Sequence, residues 1–448
     1  MFEITALNPT TNETKRFFYD AHASTLKNED GSDVIATKPM GFHKVDATSA
    51  QTPTGKTSPR LLKISLGLSC NYECEYCSQR FVPRAEETNH NFIDDFIGGL
   101  DAWVKTPPEK IEFWGGEPLV YIKTMRPLAE AIKLKYPQSV ISFITNGSLL
   151  TEELNEWIDS MGFAVGISHD GPGQSVRGPD PLDDPIRKSA ILDLYRRLAP
   201  KDRISFNAMM NTSNKSRVAV RDFFVQLTGD ENVKIGEGSV VDAYDEGGLS
   251  SSLDGIGEHV EFRRNSLYEI RTSLGLNVEI TRTKVQNFFE SIITRRPSTA
   301  LGQKCGMDRS DAMAVDLKGN VMTCQNVSSN STAPNGNSHL IGHVSDLASV
   351  KLNTSTHWSH RDECSKCPVL QLCAGACMFL EGNLWDATCD NSFSDNIVFF
   401  AIAFEMMTGC IPMYIEGPQR EDRKDIFGHV NGVPAVTKKR FPIPVVSA

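Results

Sequence analysis

Cys70-Asn71-Tyr72-Glu73-Cys74-Glu75-Tyr76-Cys77 follows directly on the apolar run Leu61 to Leu68 and sets three thiols at spacings of four and three residues. Thiolates so spaced can wrap one face of a small metal centre, and no fourth soft ligand lies nearby to close the shell. A structural zinc site takes four ligands. A [4Fe–4S] cube has four irons, so three cysteines hold it and leave one iron open. Buried structural thiols or a zinc knuckle are the alternatives that the three cysteines alone leave standing.

Outward from this loop the pattern is one of repeated strand–helix units. Leu61–Leu68 reads as a continuous apolar strand, Asn91–Val104 as an amphipathic helix, Ile111–Trp114 as the next strand and Leu119–Lys135 as the next helix. Val140–Ile144, Ala164–Ser168, Ile204–Met210 and Val233–Val241 continue as strands, separated by helices at 151–160, 185–198 and 215–228. Near-continuous apolar strands alternating with helices imply a parallel sheet covered by helices. Six units fall short of the eight that close a full barrel.

The C-x3-C-x2-C spacing, with Tyr76 before its last cysteine, resembles the cluster loop of the radical S-adenosylmethionine (SAM) enzymes. In that family SAM chelates the open iron through its amino and carboxylate groups. The resemblance implies an α/β fold, a partial (β/α)6 TIM-like radical SAM barrel. It gives Cys70, Cys74 and Cys77 the catalytic cluster and directs attention to the carboxyl ends of the strands. Gly115-Gly116-Glu117-Pro118 follows the second strand and looks like the family's GGE motif, which holds the SAM amino group. Its glycines let bare backbone approach a ligand, and Glu117 can accept from an ammonium; a bare turn is the alternative. Asn146 ends the third strand. Ser168-His169-Asp170-Gly171-Pro172 ends the fourth and resembles the S-x-D-G-P of peptide-modifying members, with Arg177 as the usual following arginine. Tyr76, Gly115, Gly116, Glu117, Asn146, Ser168 and Arg177 are therefore the implied SAM contacts. Asp170 and His169 read as strand-end caps, and Gly236-Glu237-Gly238 as backbone near the adenine.

A second cysteine field lies downstream. Cys305 is followed by Gly319 and Cys324, then by Cys364-x2-Cys367-x5-Cys373-x3-Cys377, then by Cys389. This resembles the SPASM extension, which carries two auxiliary [4Fe–4S] clusters in maturases of ribosomal peptides and sulfatases. The family pattern assigns Cys305, Cys324 and Cys377 to the first auxiliary cluster and Cys364, Cys367, Cys373 and Cys389 to the second. Zinc ribbons use similar spacings for Cys364 to Cys389, but zinc would strand Cys305 and Cys324. Anaerobic sulfatase maturases have an eighth cysteine where this chain has Asp311, so the first auxiliary cluster has an open iron, Asp311, or another non-thiol ligand. Cys410 lies outside the pattern and reads as a buried thiol.

The 448 residues exceed one ordinary core. The expected division is a β-rich appendage and linker at 1–60, the barrel with bridging helices at 61–300, the SPASM domain at 301–395, and a helix and tail at 396–448. Within the appendage, Phe2–Leu7 and Lys15–Tyr19 read as strands and 45–59 as linker. A helix is expected over 392–410. With Lys+Arg 46 against Asp+Glu 56, the net charge of −10 argues against a generic nucleic-acid binder. No signal-peptide signature opens the chain, and the longest apolar run, Ile397 to Phe404, is too short to span a bilayer. Eleven cysteines without an export signal point to metal chemistry in a reducing cytosol. The resemblance implies a maturase that uses a 5′-deoxyadenosyl radical to oxidise or cross-link a precursor peptide, with a flavodoxin or ferredoxin-type electron donor and no nucleic acid or membrane partner. A formylglycine-forming sulfatase maturase, a radical SAM dehydrogenase acting on a small molecule, and a non-enzymatic iron–sulfur binding protein are the alternatives.

Overall fold

The computed structural model describes residues 1–45, 53–272, 278–352 and 356–429. Much of the expected linker over 45–59 and the tail beyond 429 lie outside the described residues.

Three strands open the chain, β1 (Phe2–Leu7), β2 (Thr14–Asp20) and β3 (Thr25–Asn28), and after the short β4 (Thr54–Gly55) comes the barrel. Its six strands are β5 (Leu61–Ser65), β6 (Lys110–Trp114), β7 (Val140–Thr145), β8 (Ala164–Ser168), β9 (Ile204–Met210) and β10 (Ile235–Val240). The helices that follow them are α1 (Ile93–Trp103), α2 (Ile122–Lys135), α3 (Glu152–Met161), α4 (Pro185–Leu198), α5 (Arg217–Thr228) and α6 (Gly255–Thr272). Local chemistry sets the helix ends. Thr151, Asp184 and Ser216 cap α3, α4 and α5 through their side-chain oxygens, and Gly162 and Gly229 end α3 and α5 at φ of +79° and +72°.

All six strands are parallel and neighbours in sequence order, which requires a crossover helix between each pair. One register row runs Ile64, Phe113, Phe143, Val165, Ile204 across five strands. Every member is buried in the core shared with Leu100, Leu128, Ile158 and Leu194 of the helices. The adjacent row reads Lys63, Glu112, Ser142, and further along Gly166 stands beside Ser205 and Ser168 beside Asn207. The strands are thus two-faced, not continuously apolar as the sequence reading had them: the helices cover the apolar face, and the inner face is polar. There burial opposes the charge of Glu112, but Lys63 at 3.0 Å and Lys110 at 2.5 Å outweigh it and bring its carboxyl down to about 2.

After α7 (Glu279–Thr294), β11 (Ala312–Asp316) pairs in parallel with β5, and β12 (Asn320–Met322) and β13 (Leu340–His343) add on antiparallel. The sheet thus runs on, as nine strands, past the boundary expected at residue 300. β14 (Lys351–Leu352) pairs with β4. Two single-turn helices, α8 (Asp362–Ser365) and α9 (Leu370–Cys373), precede α10 (Gly382–Thr408) and β15 (Ile411–Glu416).

The N-terminal strands are not a self-contained appendage. β15 pairs antiparallel with β1, Ile415 opposite Ile4, so the two ends of the described chain share one sheet. That sheet seats Phe17 against Phe404 and Tyr19 against Phe400, with ring centroids 5.1 and 5.4 Å apart. Helix α10 begins ten residues before the expected 392, and its stretch Phe393 to Phe404, apolar all round from Ile397 onward, is buried.

Arg217 of α5 ties this second core to the barrel. Its guanidinium donates to Asp395 of α10 and to the Gly238 carbonyl, with both charged side chains under a tenth exposed. Asp395→Ala leaves the arginine buried and unpaired, so unfolding free energy in urea is expected to fall by about 3–5 kcal/mol. An unchanged midpoint would contradict a fastening role for the pair.

Candidate active site

The cysteine loop leaves β5 and is held by an extension of the β5–β6 pairing. Gly116 N donates to Gly67 O at 3.0 Å and Glu117 N to Ser69 O at 3.0 Å. A Cβ on Gly116 would sit 2.4 Å from Ser69 O and 2.6 Å from Leu68 O, and one on Gly115 would sit 2.9 Å from Gly67 O. The glycines are needed here because the chain's own backbone comes close, a reason the sequence reading, which had a ligand in view, did not supply. Glu87 and Tyr121 finish the anchorage. Glu87 Oε1 accepts from the hydroxyls of Ser69 and Tyr121, and Tyr121 OH accepts from Ser69 N. Neither residue stands out in sequence.

Beyond Ser69 the three thiols come within electrostatic reach of one another. Cys70 is exposed, and Cys74 and Cys77 are half-buried. Tyr72 N and Gln79 N each point at a sulfur, Cys70 Sγ and Cys77 Sγ, at 3.4 Å. Burial pushes the Cys74 thiol up to about 11 against the pull of Arg177. Three thiols within reach of one another, with Cys70 at the surface, fit the three-point anchorage of a cube.

The strand ends around this loop form two networks. In the first, Glu117 is 2% exposed, and its carboxylate accepts from Leu119 N (3.0 Å), the Thr145 hydroxyl (2.7 Å) and Asn146 N (2.7 Å). Burial raises its pKa despite these bonds. Asn146 Nδ2 donates to Asn71 Oδ1 at 2.9 Å, and Asn71 donates to Ser148 Oγ, so the end of β7 reaches into the cysteine loop. Glu117 therefore braces β6 against β7, with lone-pair capacity left over. Glu117→Gln sets an NH2 group among donors, and unfolding free energy should drop by about 1–3 kcal/mol. A drop below about 0.5 kcal/mol in a urea titration would remove the bracing role.

In the second network, Tyr76 OH donates to Asp170, and Arg177 Nη1 donates to Tyr76 OH at 2.7 Å and to Asp170 Oδ1 at 3.3 Å. Burial works against the Arg177 charge, but Tyr76, Asp170 and Cys74 hold its pKa above the ordinary arginine value. Its Nε is buried without a partner, a donor left over beside Cys74. Asp170 also accepts from Met209 N at 2.9 Å. His169 Nε2 lies 3.0 Å from Asp180, and His169 Nδ1 accepts from Gly171 N. Ser168 ends β8, half-buried, with its backbone paired to Asn207.

The C-terminal thiols gather in two groups. Cys364, Cys367, Cys373 and Cys389 line one cavity together with Phe393 and Arg423, and Arg423 Nη2 donates to Cys389 Sγ at 3.3 Å. Burial drives the Cys364 and Cys367 thiols upward, the latter to about 12. Cys305, Cys324 and Cys377 form the other group, each within electrostatic reach of another. Among the described residues no three His, Cys, Asp or Glu side chains converge on a single ion's position. Asp311 belongs to neither group: it accepts from Arg309 and Arg60 at the surface. Cys410 is buried in the second core.

A cavity of about 260 Å³ lies inside the barrel, lined by Glu112, Ser142 and Ser205 and by Lys110, Arg203 and Lys234 at the amino-terminal ends of the strands, the end away from the cysteine loop.

Among curated proteins the chain is similar to the radical SAM cyclopropyl synthase TigE of Paramaledivibacter caminithermalis, 23% identical over 353 residues, covering 72% of this chain and 69% of that one. It is also similar to the serine-type anaerobic sulfatase-maturating enzyme of Bacteroides thetaiotaomicron, 31% identical over 123 residues, 24% of this chain and 28% of that one. Among solved structures, anSMEcpe with bound AdoMet superposes with a TM-score of 0.55 at 20% identity over 78% of this chain and 97% of that one. The same enzyme with AdoMet and Cp18Cys peptide gives 0.54 at 18% identity, over 78% and 97%. These likenesses establish the fold. Among the described residues no helix is long and apolar enough to cross a membrane. The Radical SAM superfamily model matches residues 64–204, from within β5 to the first residue of β9, and so takes in the cysteine loop and the strand ends around it: this chain carries a radical SAM domain.

Proposed function

We propose that this chain is a radical SAM/SPASM maturase of the cytoplasm that acts on a ribosomally made precursor peptide and installs an oxidative modification such as a side-chain cross-link. Bound at Cys70, Cys74 and Cys77, a [4Fe–4S] cluster with SAM supplies a 5′-deoxyadenosyl radical able to take hydrogen from an unactivated carbon. The protein's part is position and exclusion of water. Arg177 holds a fixed positive charge beside Cys74 that suits the SAM carboxylate. Glu117 keeps acceptor capacity for the SAM amino group, while Asn146, Ser168 and Tyr76 border the same mouth. Gly115 and Gly116 keep the loop seated. Cys305, Cys324 and Cys377, and Cys364, Cys367, Cys373 and Cys389, are assigned to two auxiliary clusters, which suit a net oxidation because the leftover electron needs an acceptor. A flavodoxin or ferredoxin-type protein is the expected donor.

The observation that carries this reading is the gathering of ten cysteines into one open trio on the barrel and two groups of three and four beyond it. Similarity to the sulfatase-maturating enzyme over 123 residues favours a second reading, formylglycine formation, which the Asp311 position disfavours. The test is anaerobic turnover of the iron-loaded, reduced protein with SAM and a co-expressed precursor peptide. The expected products are 5′-deoxyadenosine and a peptide lighter by a hydrogen pair. Absence of SAM cleavage overturns the proposal; cleavage with conversion of a sulfatase-type Ser or Cys peptide to formylglycine transfers the assignment to the second reading.

A further inference from the structure

An arginine stands among the thiols of the four-cysteine group. Arg423 lines the same cavity as Cys364, Cys367, Cys373 and Cys389, although it lies 34 residues beyond the last of them. Its side chain is 3% exposed, and Nη2 donates to Cys389 Sγ at 3.3 Å. The same guanidinium pairs with Asp390 and lies 4.6 Å over the Phe393 ring. Cys389, Asp390 and Phe393 fall within little more than one turn of α10. The carboxylate and the ring alone would give Arg423 a structural role; the bond to Cys389 gives it a second.

The segment that carries Arg423 is fastened at both ends. After β15 the chain turns back on itself, where Ile415 N donates to Lys424 O at 2.9 Å and Gln419 donates to Ile415 O at 2.6 Å. Further on, Arg263 and Arg264 of α6 donate to the Ile426 and Gly428 carbonyls at 3.3 and 3.0 Å. Ile426 and Phe427 are buried in the second core. Between these anchorages lies the single turn Glu421–Arg423, so the guanidinium is delivered to the thiols from a fixed backbone.

One-electron reduction adds negative charge to an iron–sulfur cluster, and hydrogen bonds to its sulfurs help set its potential. A charge-assisted N–H···S bond in a water-poor interior stabilises the more negative, reduced state most.

We propose that Arg423 tunes the second auxiliary cluster through Cys389, raising its potential so that it accepts an electron more readily than its four thiolates alone would permit. This rests on the auxiliary-cluster reading above. Arg423 is a positioning residue, since it touches a ligand and not the reacting atoms. A raised potential suits a cluster that gains one electron as the substrate radical gives one up.

The test uses the full chain with Cys70, Cys74 and Cys77 changed to alanine, so that only auxiliary clusters remain. About eight irons per chain are expected; none would sink the cluster reading and this inference together. With iron bound, a potentiometric titration followed by electron paramagnetic resonance should give two midpoints, and Cys389→Ser marks the one that belongs to the second cluster. Arg423→Gln should change that one-electron equilibrium about tenfold against reduction, a fall of about 59 mV, and leave the other midpoint in place. Arg420→Gln takes a second arginine from Asp390 but none from a thiol, and should move neither. Arg423→Gln with both midpoints unmoved, or an equal fall with Arg420→Gln, would overturn the role of Arg423 and leave the clusters standing. Should Arg423→Gln lose iron, the unaltered residue can be read directly. Arginine isotopically labelled at its guanidinium nitrogens should then give a nitrogen coupling to the reduced second cluster, and no coupling would overturn the bond to Cys389.

Discussion

Cys74→Ala is expected to reduce 5′-deoxyadenosine formation by the iron-loaded, reduced protein at least ~100-fold. Partners that merely orient a metal ligand cost 10–100-fold when removed, so loss of a direct anchor should exceed that range. Cys74 is the middle member of the trio and feels both other thiols as well as Arg177. Without it, Cys70 and Cys77 hold a cube by two corners, and Arg177 loses a partner that supports its charge. Iron should fall from about twelve to about eight per chain, since the two auxiliary clusters of the proposal would use other cysteines. Quantifying nucleoside and iron on one sample checks both expectations. Turnover within threefold of the unaltered protein would remove Cys74 from the cluster and the proposed chemistry with it.

Gly116→Val is expected to have the second-largest effect, in stability and cluster loading together. Its first side-chain atom would meet the Ser69 and Leu68 carbonyls at 2.4 and 2.6 Å. Those neighbours are backbone atoms, so relief requires moving the strand that leads into Cys70. Doing so breaks the Glu117 N to Ser69 O bond and disturbs the Glu87–Tyr121 anchorage. Overpacking of 1–3 kcal/mol plus a lost buried hydrogen bond gives a loss of about 3 kcal/mol or more. Gly98→Ala on the exposed side of α1 is the control. Nothing lies within 4 Å of the added atom there, so up to about 1 kcal/mol of stabilisation is expected. Urea unfolding of the two variants, with the iron content of each, separates a steric requirement from general intolerance of glycine replacement. Equal stability of Gly116→Val and the unaltered protein would show that the loop can shift freely.

Legibility in the sequence tracked how local each signal was. The Cys70–Cys77 spacing and the six strand–helix units were readable because each depends on residues within a few positions of one another. The strand-end residues Glu117, Asn146 and Arg177 were found, but what they do in the protein was not. Glu117 reaches from β6 to the Asn146 backbone at the end of β7, and Arg177 meets Tyr76 across a hundred residues of chain. The two-faced strands were open to reading in Lys-Ile-Glu-Phe-Trp at 110–114, where apolar and polar residues alternate. The expectation of a fully covered parallel sheet hid that alternation. The partnership of β1 with β15 and the start of α10 at 382 leave no local mark at all.

The sequence by itself determined which residues are available as soft ligands, where capped helices such as α3 and α5 start and stop, and that six parallel strands would leave a barrel incomplete. These follow from side-chain chemistry, capping and periodicity, all short-range properties of the chain. Tertiary structure alone decided which thiols share a space and why Gly115 and Gly116 admit no side chain. Such outcomes depend on packing between segments up to hundreds of residues apart, where the register of one sheet and the burial of one helix set every distance.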